Sequence, residues 1–247
     1  MKTLVDLTDR LPFKLDLPQL QAEVRMLEAA HSWVGHYDPS LADGWTAVPL
    51  VSHDGTMDKV DSQRVGTWGK YQRTPICAKL PYTSQLLDSL KCPHGRIRIM
   101  RMEPGTIIRP HRDVFEEVAN YAFDQVRLHI PIFTSPKVAF VVGGKPLYLQ
   151  EGHMYYVNFS KSHYVRNDGT EMRTHLVMDV QINDWLRKVF PPEPLVGRIA
   201  NMVERNTLPG AWFAESARNF SRKIFWSLYE DSWVQSVRHR MRDRRAA

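Results

Sequence analysis

Cysteine is scarce: 247 residues hold two, Cys77 and Cys92, outside any metal-ligand spacing. This excludes a scaffold built on disulfides and a cysteine-ligated zinc site, and the pair reads as free thiols of a reducing compartment. Long apolar runs are missing too. No stretch reaches the roughly 18 consecutive apolar residues of a membrane-spanning helix, and Asp6 and Asp9 interrupt the opening residues where a secretory leader needs an unbroken apolar core. The expectation is a cytoplasmic protein, in which the Asn158 and Asn219 glycosylation patterns have no meaning. Internal repeats and low-complexity tracts are absent, so nothing points to a solenoid or a disordered chain.

What is present fits one substantial globular domain: 43% of residues are hydrophobic and 24% charged. The net charge of +6 is unevenly spread, with Arg238, Arg240, Arg242, Arg244 and Arg245 near the end against Asp243 alone. Such a tail could touch nucleic acid or an anionic surface, but no nucleic-acid-binding fold accompanies it, so it reads as a solvated terminus.

Periodicity places the elements. Residues 18–31 and 82–92 carry leucine and valine at helical spacing, each with proline nearby as start or stop. A short strand covers 45–51, and His53 and Asp54 beyond it read as a polar loop. Residues 96–102 alternate, with Ile97 and Ile99 on one face and Arg96 and Arg98 on the other. Those arginines could draw in an acidic substrate; the plainer reading is a solvated or salt-bridged sheet face. After a Pro104-Gly105 turn come strands at 107–111, 125–131, 137–142, 146–150 and 153–159, with turns at Gly143-Gly144 and Glu151-Gly152. Short strands at this spacing predict a β-sandwich or barrel. Asn183 is placed to cap a helix ending before Pro191, and helical patterns then continue to a broad amphipathic segment bearing Phe213, Phe220 and Trp226. The organisation expected is a β-rich domain over 1–182 and a helical extension over 183–247 packed on it. The extension's aromatic face is alternatively a homodimer contact.

His111 and Asp113 have the spacing that puts two side chains on one side of a strand. An imidazole, a carboxylate and a second imidazole from elsewhere make the facial triad that binds non-haem Fe(II) and leaves positions open for reactants. His163 is the candidate for the third ligand, with Arg173 ten positions later. His153 competes for that place, but it follows a turn directly and lacks such an arginine. Alone, His-x-Asp is a weak motif whose plain reading is two solvated groups.

Several spaced elements agree with one another: Pro-Gly-x5-His-x-Asp from Pro104, Arg-x-His-x-Pro from Arg127, Gly-x5-Asn from Gly152, His-x3-Asn from His163 and Arg-x2-Leu-x2-Asp from Arg173. In this order, over residues 96–181, the chain resembles the aspartyl/asparaginyl β-hydroxylase family of 2-oxoglutarate-dependent oxygenases, which includes bacterial hydroxylases of free proline. A weaker echo lies at Gly44 to Leu50. The resemblance implies a double-stranded β-helix, a cupin-like jelly roll with outer helices. It also implies Fe(II) held by His111, Asp113 and His163, with 2-oxoglutarate and O2 as co-substrates. Arg173 would take the distal carboxylate of 2-oxoglutarate, and Arg127 and His129 match positions near its chelating end. His175, two residues after Arg173, either lines the pocket or is an interior hydrogen-bonded histidine; the latter is favoured. Residues 114–121 form a connection that the family uses near the substrate.

Some protein-directed relatives lack the acidic ligand and halogenases leave it vacant, so Asp113 leans the expectation toward hydroxylation of an amino acid or a derived small molecule, with succinate and CO2 as co-products. Peptidyl Asp/Asn hydroxylation, and a cupin-like metal or small-ligand binder without turnover, are the alternatives.

Overall fold

Alternating side chains on a few long strands set the architecture, which the computed structural model describes for residues 3–29, 33–35, 44–58, 69–111, 113, 125–159 and 161–192. The strands are β1 (Leu4–Asp6), β2 (Val34–Gly35), β3 (Trp45–His53), β4 (Tyr71–Arg73), β5 (His94–Met102), β6 (Ile107–His111), β7 (Gln125–Phe133), β8 (Val138–Val142), β9 (Lys145–Leu147), β10 (Tyr155–Val157), β11 (His163–Asn167) and β12 (Arg173–Gln181). They pair antiparallel in two sheets. The larger follows the order β1-β10-β7-β12-β5-β3-β2, with β4 beside β3, and the smaller the order β6-β11-β8-β9. Non-sequential antiparallel neighbours in two sheets are the jelly-roll arrangement.

The outer face of the larger sheet is apolar. Ile99 stands beside Leu176 and Ile97 beside Met178, and β7 adds Ile130 and Leu128 in the same rows. Helices α1 (Leu17–Ala29) and α2 (Pro81–Ser89) cover this face: Leu20, Val24 and Leu27 recur at helical spacing and share one core cluster with Leu86, Leu87 and the sheet. Each such fully buried side chain contributes about 1.5–3 kcal/mol. Buried Glu23 of α1 ties the helices together, its carboxylate accepting from the backbone N–H groups of Tyr82 (2.6 Å) and Thr83 (2.9 Å) at the start of α2. Those N–H groups have no partner inside their own helix, and the positive end of the helix dipole favours the charge.

Residues of the opposite parity point the other way. Arg96, Arg98 and Met100 on β5, Arg127 and His129 on β7, and Arg173, His175, Val177 and Asp179 on β12 share the inner face; the register sets Arg98 beside Val177 beside His129, and Arg127 beside Asp179. A second apolar cluster joins the two sheets through Met102, Ile108, Phe140, Val142, Val157 and Val165.

Local signals explain most boundaries. The turn at Pro104-Gly105 closes with Thr106 N–H on the Glu103 carbonyl at 3.1 Å, and Gly105 takes the positive φ of 79° that the turn requires. Asn183 caps α3 (Asp184–Val189) by accepting from the Leu186 N–H at 3.0 Å. Leu186 and Val189 join the main core, and the compact unit runs from Met1 to Pro192.

Three expectations change, the first being the strand expected over 146–150, which is β9 at Lys145–Leu147. The strand carrying His111 ends there, and the Asp113 N–H turns to the Phe159 carbonyl at 3.3 Å. The strand expected over 153–159 is shortened to β10, because Met154 is engaged by the N-terminal segment through Thr8 Oγ1 (2.9 Å) and Leu7 N–H (2.8 Å). The helical extension beyond residue 192 with its dimer face and arginine-rich end, and the connection 114–124, lie outside the described residues.

Candidate metal centre and its pocket

Strand pairing brings the two histidines together. β6 ends at His111 and β11 begins at His163, and the register places these residues opposite one another, with ring centroids 4.2 Å apart. Asp113, just past the end of β6, completes the group: one ligand atom from each of the three lies within 4.8 Å of the others.

The hydrogen bonds around this cluster orient it. His111 Nδ1 donates to the Arg109 carbonyl at 2.7 Å and His163 Nδ1 to the Lys161 carbonyl at 3.0 Å. A carbonyl only accepts, so each Nδ1 carries a proton, and in the neutral tautomer this leaves each Nε2 with its lone pair for a metal. Asp113 is divided in the same way. Its Oδ2 accepts from Arg127 Nη1, while Oδ1 faces His111 Nε2 at 3.5 Å and His163 Nε2 at 3.9 Å. Two imidazoles and a carboxylate therefore converge on one point, the set that suits a non-haem divalent iron.

Electrostatics favour the ligating forms. Burial raises the Asp113 pKa, but Arg127, with His111 and His163, outweighs it and holds the carboxyl well below its ordinary range. Burial takes the His163 pKa down to about 4, so its imidazole is neutral at physiological pH. Phe159 packs edge-on against the His163 ring at 4.7 Å, and the Arg127 guanidinium lies over Phe159 at 5.6 Å.

Arg127 links the cluster to a buried anchor. Its Nε donates to Asp179 Oδ1 at 2.6 Å, and Arg96 donates to Asp179 Oδ2 through Nε at 3.0 Å and Nη2 at 2.8 Å. Asp179 is 1% exposed; burial opposes its ionisation, yet Arg127 and Arg96 keep its pKa below the ordinary value.

His129, two residues from Arg127, belongs to a different group. Its Nδ1 is 3.5 Å from His175 Nδ1, which accepts from Arg173 Nη2 at 2.9 Å. Since a guanidinium only donates, the His175 proton sits on Nε2. His175 Nε2, His129 Nε2 and Arg173 Nε are buried without a hydrogen-bond partner among the described residues. Burial first, then Arg173, pushes both histidines well below their ordinary pKa, and burial brings Arg173 down to about 9. Arg173 and His175 line a cleft with Phe140, Leu147, Thr134 and Ser135. His175 is thus both hydrogen-bonded in the interior and part of a pocket wall.

The other candidates fall elsewhere. His153 pairs with Asp6 at 2.8 Å, and His53 with Asp54 at 2.9 Å in a loop. Sequence reasoning gave no role to Asp179 or Phe159, and it read Arg98 as part of a solvated or salt-bridged face. Arg96 is salt-bridged there, but Arg98 is 6% exposed. Alternation showed that Arg98 shares a face with Arg96, but not that the smaller sheet covers that face.

Comparison with known proteins now identifies the fold's relatives. The model of the aspartyl/asparaginyl β-hydroxylase family matches residues 15–182. The chain belongs to this family. Solved structures similar to it include a Pseudomonas putida prolyl-4-hydroxylase, 14% identical, covering 73% of this chain and 93% of that one with a TM-score of 0.44. Another is an oxidoreductase of the 2OG-Fe(II) oxygenase family from Burkholderia pseudomallei, 14% identical, covering 68% and 93% with a TM-score of 0.40. No curated protein matches. As a member of the aspartyl/asparaginyl β-hydroxylase family the chain is a hydroxylase of the Fe(II)/2-oxoglutarate oxygenase class. No helix among the described residues is long and apolar enough to cross a membrane.

Proposed function

We propose that this hydroxylase holds Fe(II) with His111, Asp113 and His163 and acts on an amino acid or an amino-acid-derived small molecule. The observation that carries the ligand assignment is the orientation of the three donors, since both Nε2 atoms and Asp113 Oδ1 face one another with the opposite atom of each group already hydrogen-bonded. Bound there, the metal with 2-oxoglutarate supplies oxygen activation and C–H hydroxylation, with succinate and CO2 as co-products.

The chain's own residues do the positioning. Arg127 fixes Asp113 and stands at the chelating end of the co-substrate. Arg173, a forked donor whose Nε lacks a partner, takes the distal carboxylate. His129 and His175 hold the wall beside it as neutral groups. Phe159 shields His163 and keeps water from the ligand cluster, which strengthens every charge interaction inside. An acidic ligand in the triad favours hydroxylation over halogenation.

Succinate formation by anaerobically purified protein given Fe(II), 2-oxoglutarate and O2 tests this, across free amino acids, Asp and Asn peptides and a no-substrate control. Substrate-stimulated succinate is expected with a free amino acid or derivative. Stimulation by peptides alone overturns the small-molecule assignment. Iron binding with no succinate under any condition makes the chain a binder without turnover.

A further inference from the structure

Burying a charge is tolerated when it is paired and hydrogen-bonded, and is costly otherwise. On the inner face of the larger sheet Arg96, Arg98 and Arg127 face two carboxylates, Asp113 and Asp179. Arg96 and Arg127 share Asp179, and Arg127 also holds Asp113. Arg98 has neither a hydrogen bond nor an ion pair from its side chain to any described residue, and its Nε is buried without a partner. Of these three arginines, one is left without a carboxylate among the described residues.

Its surroundings give that charge a direction. Arg98 stands in register with Val177 on one side and Pro49 on the other. Ala47, Met100 and Val177, with Trp45 against them, make a small apolar cluster on the same face. The register runs from Arg98 through Val177 to His129, two residues from the Arg127 that holds Asp113, so Arg98 shares the face that meets the ligand cluster. Burial, then repulsion from Arg96, brings its pKa down to about 9. The result is a single guanidinium beside a small apolar cluster, on the sheet face that meets the metal-ligand group through Arg127.

We infer that Arg98 receives a carboxylate of the substrate, so that this hydroxylase takes an acid and discriminates against the corresponding amide. The inference rests on the oxygenase reading of the same site. A guanidinium fork matches a carboxylate in plane, with two parallel hydrogen bonds. One uncompensated charge matches a carboxylate's single charge; a phosphate monoester would bring about −1.5 to −2. The apolar cluster then takes the aliphatic part of the molecule. Arg173, in its separate cleft, remains for the co-substrate. The carboxylate has two sources, the α-carboxylate of a free amino acid or the side chain of a peptidyl aspartate.

The test pairs each free amino acid with its α-amide, and a capped Asp peptide with its Asn counterpart. It reads succinate formation and, without oxygen, equilibrium binding to protein loaded with Mn(II) and 2-oxoglutarate. Wild type should prefer the acid over its amide by at least about tenfold, the effect of one charged hydrogen-bonded pair. Preference within the free pairs assigns the α-carboxylate, and within the peptide pair the aspartate side chain. Arg98→Met should bring the ratio close to one, and Arg98→Lys should keep part of it. A ratio that survives Arg98→Met, or equal use of acid and amide by wild type, overturns the inference. Thermal unfolding of the ligand-free protein reads the same point without a substrate. Arg98→Met should raise Tm by about 2 °C or more, because it removes an unpaired buried charge. A lowered Tm identifies Arg98 as a structural pair and overturns the inference even if no compound stimulates turnover. Absence of any succinate from wild type defeats the oxygenase reading, whereas acid binding lost in Arg98→Met still supports the carboxylate site.

Discussion

On the helix-covered face of the larger sheet, the buried carboxylate of Glu23 meets two backbone N–H groups and the Thr83 hydroxyl. On the opposite face of the same sheet Arg98, His129, Arg173 and His175 each keep a buried nitrogen with no partner among the described residues. The same strands carry both faces. One face has its polar group satisfied and its apolar rows filled by α1 and α2, so it serves stability. The other leaves donors and charge uncompensated among the described residues, a cost of about 1–3 kcal/mol for each such group, and in the proposed function Arg98 and Arg173 receive carboxylates there.

The largest contrast comes from the ligand cluster. His111→Ala or Asp113→Ala should bring 2-oxoglutarate turnover to background and abolish tight Fe(II) binding, while the urea midpoint moves little in His111→Ala, whose side chain belongs to no apolar cluster. Succinate assays and metal titration check this, and full turnover in either variant would remove these residues from the centre.

Asp179→Asn joins the two properties and should affect both. It leaves Arg96 and Arg127 buried without their shared carboxylate, which costs about 3–5 kcal/mol. It also loosens the arginine that orients Asp113, a change that weakens metal affinity about 10–100-fold. The pH dependence has a definite sign. Since the folded pKa of Asp179 lies below its unfolded value, its stabilisation is full above about pH 4 and is lost as pH falls toward the folded value. Urea midpoints of wild type should therefore drop below pH 4, and those of Asp179→Asn should drop less. Equal slopes would deny Asp179 this part in acid sensitivity.

Leu87→Ala probes the helix-covered face alone. Leu87 is 0% exposed within the main core, and truncation should destabilise the fold by about 2–5 kcal/mol. At a temperature where the variant is folded, succinate formation should match wild type. A strong loss of turnover there would mean that the two faces are not separable.

How far each face was readable in the sequence follows from what each depends on. Leu20, Val24 and Leu27 announce the outer face through helical spacing, and Ile97 and Ile99 through alternation, because these patterns are local. Asn183 declared its cap for the same reason. The metal cluster was legible as residues, through His-x-Asp and the distant His163 with Arg173 behind it, but not as geometry. That His111 would meet His163 depends on the β6–β11 register, which joins residues 52 positions apart, and that Asp113 would be held by Arg127 depends on how β7 of the other sheet faces it. Arg98 was harder still. Alternation placed it beside Arg96 on one face, and only the assignment of Asp179 to Arg96 and Arg127 shows that Arg98 is the arginine left over.

His175 gives the smallest expected effect and the finest division within the inner face. Its Nδ1 accepts from Arg173 and its Nε2–H points into buried space without a partner, so it both fixes the guanidinium and presents a second donor. His175→Phe removes both functions at similar ring size, and should raise the KM for 2-oxoglutarate about tenfold, or about 1.4 kcal/mol, with a smaller change in kcat. His175→Gln can still accept with one atom and donate with the other, so it should recover most of the loss. Because the imidazole pKa lies well below 6.5, the group stays neutral, and the KM ratio of variant to wild type should be flat from pH 6.5 to 8. Were His175 only a packing residue, Phe would be the better tolerated of the two, and the order of the KM values would reverse.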